Sequence, residues 1–128
     1  MELLLKTKFC KILFDKFGYV DARFLKINPN TIYNWHIDKG RKCAINFPVV
    51  NNKKAITLFK QYEKREHIFS CYEVDYTDFR PTILDTTYPH CIINSWPEER
   101  IMLTVSTHKD CSYEEVKSFL ETLQIDEY

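Results

Sequence analysis

Short runs rich in β-branched and aromatic residues recur along this chain at close intervals, and each is stopped within a few positions by a turn-forming cluster. Ala22 to Ile27 ends at Asn28-Pro29-Asn30, Thr31 to Asp38 ends at Lys39-Gly40-Arg41, and Cys43 to Val50 ends at Asn51-Asn52. Ala55 to Tyr62 and Ile68 to Val74 flank the polar stretch Glu63 to Glu66, which reads as a hairpin turn. Beyond a loop from Asp75 to Pro81 come Thr82 to Asp85, His90 to Asn94 and Arg100 to Thr107, the last of them apolar enough to be a buried strand. Cys43 to Val50 has strand propensity on both faces, and Pro48 inside it, having no N–H for a ladder, implies an edge or a bulge. About eight short strands so spaced point to a sandwich or barrel. Of these a jelly roll fits best, giving a mainly β fold with one or two flanking helices.

Two segments depart from the β pattern. Leu5, Phe9, Ile12, Leu13 and Phe17 stand at mostly helical spacings, so residues 2–17 are expected to form a short amphipathic helix, with a strand as the alternative, broken at Gly18. Near the other end, Ser112 with Glu115 three positions on makes a capping box. Val116, Phe119, Leu120 and Leu123 then form an apolar stripe, which predicts a helix over about residues 112–125.

A chain of 128 residues with 45% apolar side chains supports one domain, residues 1–128, with a real core. Eighteen basic residues balance eighteen acidic ones, so the chain as a whole has no electrostatic footprint for nucleic acid or an anionic membrane. The five cysteines are odd in number and widely spaced, with no C-x-x-C pair, as expected of reduced thiols in a cytoplasm. Lys6, Lys8 and Lys11 interrupt the apolar start before a signal core or membrane span could form, so no membrane association is expected.

The chemistry concentrates at His36 and Asp38. Alternation along a strand points both to one side, where they can share a cation. His90, opening the apolar run after Tyr88-Pro89, would be the third ligand. Two imidazoles and one carboxylate leave one face of a metal open, which suits non-haem Fe(II) chemistry. His-x-Asp alone arises by chance on ordinary surface strands. The second histidine in a strand-like context, and Arg100 ten positions after it at the head of an apolar strand, add weight.

These residues resemble the Fe(II)- and 2-oxoglutarate-dependent dioxygenases, whose core is a double-stranded β-helix. The match runs from about Ala22 to Thr107, and the phrases Trp35 to Pro48 and Pro89 to Asn94 look like small microbial and phage members, so a virus-encoded protein of a host cytoplasm is one implied source. The resemblance implies iron held by His36, Asp38 and His90. It also implies 2-oxoglutarate as co-substrate, O₂ consumed, succinate and CO₂ released, and hydroxylation of a peptide side chain or small molecule. Fe²⁺ with Asp38 and a 2-oxoglutarate dianion would leave a net negative site. The planar fork of Arg100 suits the distal carboxylate that needs neutralising.

Other positions are less sharply marked. Tyr33 stands three residues before His36, as in prolyl-hydroxylase-like members where the tyrosine lines the pocket, yet simple alternation puts it on the opposite face unless a bulge re-aims it. Asn46, polar within an apolar strand, must find a partner, either the co-substrate or a backbone group. Arg41 fits a substrate contact and plain surface charge equally. Trp35, Trp96 and Phe47 read as core or rim, His67 and His108 as surface, and a zinc site built from Cys43 and Cys91 with the histidines as a remote option. Met102 stands where some members carry a serine that binds co-substrate. Ser106 stands where a nucleic-acid dealkylase would carry a second arginine, which together with the neutral charge argues against nucleic acid. The carboxylate ligand sets the chain apart from the aspartyl/asparaginyl hydroxylase branch. Prolyl-hydroxylase-like chemistry remains nearest, although 128 residues leave little room for its substrate-binding insertions. A jelly-roll binding or scaffold protein that keeps a metal site without turnover is the alternative.

Overall fold

The computed structural model describes residues 2–50, 54–62, 69–78 and 80–123. The β-rich runs form eight strands: β1 Asp21–Ile27, β2 Thr31–His36, β3 Cys43–Val50, β4 Ala55–Tyr62, β5 Phe69–Glu73, β6 Thr82–Asp85, β7 His90–Asn94 and β8 Arg100–Ser106. Helix α1 spans Glu2–Phe17 and α2 spans Tyr113–Glu121. The expected stop at Asn51-Asn52, the turn over Glu63 to Glu66, His67 and Ile68 lie outside the described residues.

The strands divide into two four-stranded sheets, in the orders β1-β8-β3-β6 and β2-β7-β4-β5. Every pair is antiparallel. Strands far apart in sequence thus become neighbours, the pattern of a jelly roll. The double-faced character of β3 has a direct cause. Its Cys43, Ile45 and Phe47 pack with Leu103 and Val105 beneath Phe9 and Leu13 of α1 and Val116 of α2. Ala44, on the other side, joins Phe59, Tyr76, Leu84 and Met102 between the sheets. Pro48 marks a bulge and not an edge, because β3 is central and its register against β8 slips between Pro48 and Val50.

Phe9 and Leu13, one helical turn apart, are 1% and 0% exposed, and the Phe9 ring meets Phe47 edge-on at 5.1 Å. Gly18, at φ +75°, ends α1 by donating its N–H to Phe14 O at 2.8 Å, a left-handed cap that a side chain would strain. The capping box of α2 is present, with Glu115 N–H donating to Ser112 Oγ at 3.1 Å and Ser112 N–H to Glu115 Oε1 at 3.4 Å. Its helix stops at Glu121, short of the expected end. Thr122 and Leu123 donate to carbonyls three residues back, which tightens the last turn and closes it. Leu13→Ala should lower the unfolding free energy by about 2–5 kcal/mol. Urea denaturation checks this, and a loss below about 1 kcal/mol would mean that α1 is not docked on β3 as described. Among the described residues no helix is long and apolar enough to cross a membrane.

Candidate metal centre

The site begins with an irregularity in β2. Tyr33 pairs with Ile92 and His36 pairs with His90, so Asn34 and Trp35 together stand opposite the single residue Cys91. This bulge re-aims the strand and puts Tyr33 and His36 on one face, which simple alternation does not. It also leaves Asn34 O free to accept from His36 Nδ1 at 2.7 Å, while Asn34 Oδ1 accepts from Trp35 N–H at 2.9 Å. Across the sheet the His36 and His90 rings lie 4.4 Å apart, centroid to centroid.

Asp38 arrives by a different route from the one the sequence suggests. The strand ends at His36 and does not run to residue 38, so alternation on a common strand is not what aligns the two ligands. The turn holds the carboxylate instead. Asp38 N–H donates to Thr86 O at 3.1 Å, while Thr86 returns its N–H to Lys42 O and its hydroxyl to Arg41 O, both at 3.1 Å. The β2–β3 turn is thereby stitched to the β6–β7 turn.

Asp38 Oδ1 lies 3.3 Å from His90 Nε2 and 3.5 Å from His36 Nε2, and one ligand atom from each of the three residues lies within 4.8 Å of the others. Both histidines use Nδ1 on backbone carbonyls, His36 on Asn34 O and His90 on Tyr88 O at 2.9 Å. A carbonyl only accepts, so Nδ1 carries a hydrogen; in the neutral ring each Nε2 lone pair then faces the centre, whereas protonated His90 donates from Nε2 to Asp38 instead. Phe59 stacks on His90 at 4.9 Å and 20°, fixing the plane of the buried ring. Among the described residues these three form the one cluster with metal-holding geometry.

Charge tuning follows from the same contacts. Burial pushes the Asp38 carboxyl up, but hydrogen bonds from His90 and Arg41, with their charges, outweigh it and hold the group at about 2. Burial pushes His90 down, but its bonds to Asp38 and to Tyr88 O, and the Asp38 charge, leave it raised. The metal-free protein should therefore lose the Asp38 contribution to stability as pH falls from 3.8 toward about 2. The His90 contribution is complete below 6.5 and disappears as pH rises through the raised folded value. Metal-free protein should thus melt at a higher temperature near about pH 5.5 than near about pH 8.5. His90→Gln should erase its share of that difference, and an unchanged profile would refute the Asp38–His90 coupling.

Arg41 belongs to this site. Its Nε donates to Asp38 Oδ2 at 2.7 Å, and its Nη1 donates to Thr104 Oγ1 at 2.8 Å and Ser106 Oγ at 2.9 Å. Its only sequence signal is the three-residue spacing from Asp38 across a glycine turn.

Arg100 sits 2% exposed on the inner face of β8. Its Nη1 donates to Ala55 O at 3.1 Å and its Nη2 to Thr57 Oγ1 at 3.0 Å, while its Nε has no partner. The guanidinium lies 5.4 Å from the Tyr76 ring centroid. Burial pushes its pKa down, and among the described residues no carboxylate opposes that. Asn46 donates from Nδ2 to Tyr76 Oη at 3.1 Å, and its Oδ1 is left without a partner. Buried Arg100, without an acid among the described residues, and Asn46, each with one orphaned polar atom, therefore flank Tyr76, which sequence reasoning placed in a loop. Nothing periodic announces it.

The remaining positions separate cleanly. Tyr33 shares the face of His36 but is 43% exposed. Cys43 faces the helices, where burial lifts its thiol to about 12, and Cys91 stands opposite the bulge on the side away from His90, so neither joins the ligand cluster. Phe47 is core. Trp35 and Trp96 lie on the rim beneath the ammonium groups of Lys60 at 4.4 Å and Lys54 at 5.4 Å. Met102 is buried among apolar side chains.

No protein-family profile matches this chain, and no curated protein matches it in sequence. Solved structures do. A prolyl-4-hydroxylase from Pseudomonas putida superposes with a TM-score of 0.50 at 15% identity, over 72% of this chain and 52% of that one. The chain is a jelly roll. The DMSP lyase DddQ from Ruegeria pomeroyi gives a TM-score of 0.45 at 10% identity, over 71% of this jelly roll and 39% of the lyase. The cysteine peptidase Peruvianin-I from Thevetia peruviana latex gives 0.48 at 9%, over 71% and 52%. The jelly roll thus spans about half or less of the length of these structures.

Proposed function

We propose that this chain is an Fe(II)- and 2-oxoglutarate-dependent dioxygenase that hydroxylates a small molecule or peptide side chain. One observation supports this above the others: two Nε2 lone pairs and Asp38 Oδ1 converge, with both Nδ1 protons engaged elsewhere. Such a centre calls for a cation, and the N, N, O donor set suits Fe(II). The likeness of fold to a prolyl-4-hydroxylase accords with it.

The interior also fits the co-substrate. Arg100 is a desolvated cation without an acid among the described residues, and Arg100 Nε and Asn46 Oδ1 are unsatisfied on the same wall. A carboxylate accepting from Arg100 would answer the first two deficits, and a carboxylate cannot donate to Asn46 Oδ1, so Asn46 serves by holding the Tyr76 ring against the guanidinium through its hydroxyl. His36, Asp38 and His90 would hold the iron, and Arg100 the distal carboxylate of 2-oxoglutarate. Iron and 2-oxoglutarate, when bound, supply an oxidative decarboxylation in which one atom of O₂ leaves in succinate and the other enters a substrate C–H bond.

The protein's own work is positioning. The carbonyls of Asn34 and Tyr88 fix both imidazoles, Arg41 takes Asp38 Oδ2 so that Oδ1 faces the histidines, and Phe59 covers one face of His90. Anaerobic loading with Fe(II) and 2-oxoglutarate, followed by O₂, tests the reading. Succinate formed with iron and not without it is expected. Metal bound at one equivalent with no succinate would leave a jelly-roll binding protein.

A further inference from the structure

His36 and Asp38 form part of the wall of an open cleft of about 750 Å³, lined otherwise by β1, the Lys39-Gly40-Arg41 turn, the end of β8 and the three residues after it. That volume is in the range of small-molecule sites. Its charge is uneven. Arg23, Lys39, Arg41 and Lys109 line it against two carboxylates, and both carboxylates already pair with arginine, Asp21 with Arg23 and Asp38 with Arg41, each at 2.7 Å. Lys39 and Lys109 are left in excess, in a chain whose net charge is zero.

The compensating acid lies elsewhere. A second cleft of about 520 Å³, formed by β4, β5 and β6, is lined by Glu73, Asp75, Asp85 and Glu114 with Lys60. Charge is therefore sorted between the two openings, and the basic one is the one that reaches the metal ligands. Tyr19, Leu25 and Ile37, which also line the basic cleft, are 48%, 38% and 51% exposed, an apolar surface beside the site. Thr104 and Ser106 accept from Arg41 through their oxygens, which leaves their hydroxyl hydrogens available to an incoming acceptor.

We propose that this cleft binds the substrate, a small molecule with an apolar carbon skeleton and an anionic end, carboxylate or phosphate, held at Lys39 and Lys109. The assignment rests on the oxygenase reading for its chemistry but not for its binding. A bound metal would add positive charge at the Asp38 end and strengthen the preference.

The test uses ¹⁵N-labelled, metal-free protein titrated with phenylacetate and phenyl phosphate as anionic probes, and with benzyl alcohol and benzylamine as neutral and cationic controls. Amide shifts of Lys39, Gly40, Thr107 and Lys109 report binding. At least one anion should bind about tenfold more tightly than benzyl alcohol, the scale of a charge-assisted contact. The anion that does so tells carboxylate from phosphate. Lys39→Gln/Lys109→Gln, both changes at exposed positions, should remove most of that preference while the amide spectrum away from the cleft stays unchanged. Equal binding of all four probes, anion shifts confined to the Arg100 region, an unaffected double variant, or tighter binding of an acidic hexapeptide than of either anion would each overturn the proposal. Anion docking in a protein that makes no succinate would sink the oxygenase reading and leave the cleft, whereas succinate formation without anion preference would do the reverse.

Discussion

Asp38→Ala should abolish iron-dependent succinate formation and weaken Co(II) binding by more than the roughly 10- to 100-fold that loss of even a supporting partner costs a metal site. The carboxylate does two jobs. Oδ1 faces both imidazoles at 3.3 and 3.5 Å, and Oδ2 anchors Arg41 at 2.7 Å. Alanine therefore removes the one anionic donor and leaves a guanidinium facing two imidazoles, so the centre changes from attracting a cation to repelling it. Arg41 keeps Thr104 and Ser106 as acceptors, which limits the structural damage. Titration with Co(II), followed by visible absorption, reads the effect directly. Unchanged affinity would show that the ion binds elsewhere and that the three-residue cluster is incidental.

Arg100→Met should separate co-substrate binding from folding. Loss of one charge-assisted pairing is worth about 1.5–3 kcal/mol, so 2-oxoglutarate should bind roughly 10- to 150-fold more weakly to the Mn(II)-loaded protein. Stability should respond far less. Replacing a desolvated, unpaired cation with an apolar chain is neutral or favourable, while the lost bonds to Ala55 O and Thr57 Oγ1 act the other way. The unfolding free energy should therefore move by no more than about 1–2 kcal/mol. Calorimetric titration and urea denaturation on the same preparation decide it. Unchanged 2-oxoglutarate affinity would remove Arg100 from the co-substrate site, and a collapse in stability would make it a structural tie between β8 and β4.

What could be read from the sequence was what repeats. Periodic apolar runs between turn clusters announced all eight strands, and the Ser112–Glu115 pair announced α2, because these signals are local. The site is only half local. His36, His90 and Arg100 head or end apolar runs and stand out, but Asp38 is set in place by Thr86, a partner nearly fifty residues away. Arg41 and Tyr76 resemble ordinary polar-loop residues until β8 comes alongside them. Pro48 showed that a strand was interrupted, and only the order of the sheet distinguished a bulge from an edge.

The extra residue in β2 has a consequence for how this protein can vary. Removing either Asn34 or Trp35 would bring the strand into step with β7 and improve its ladder. It would keep His36 opposite His90, because residues two apart on a regular strand share a face, but the bulge carbonyl of Asn34 that holds His36 Nδ1 would be lost or re-aimed. Along this strand, smoother pairing and a tethered imidazole are competing outcomes of a single deletion.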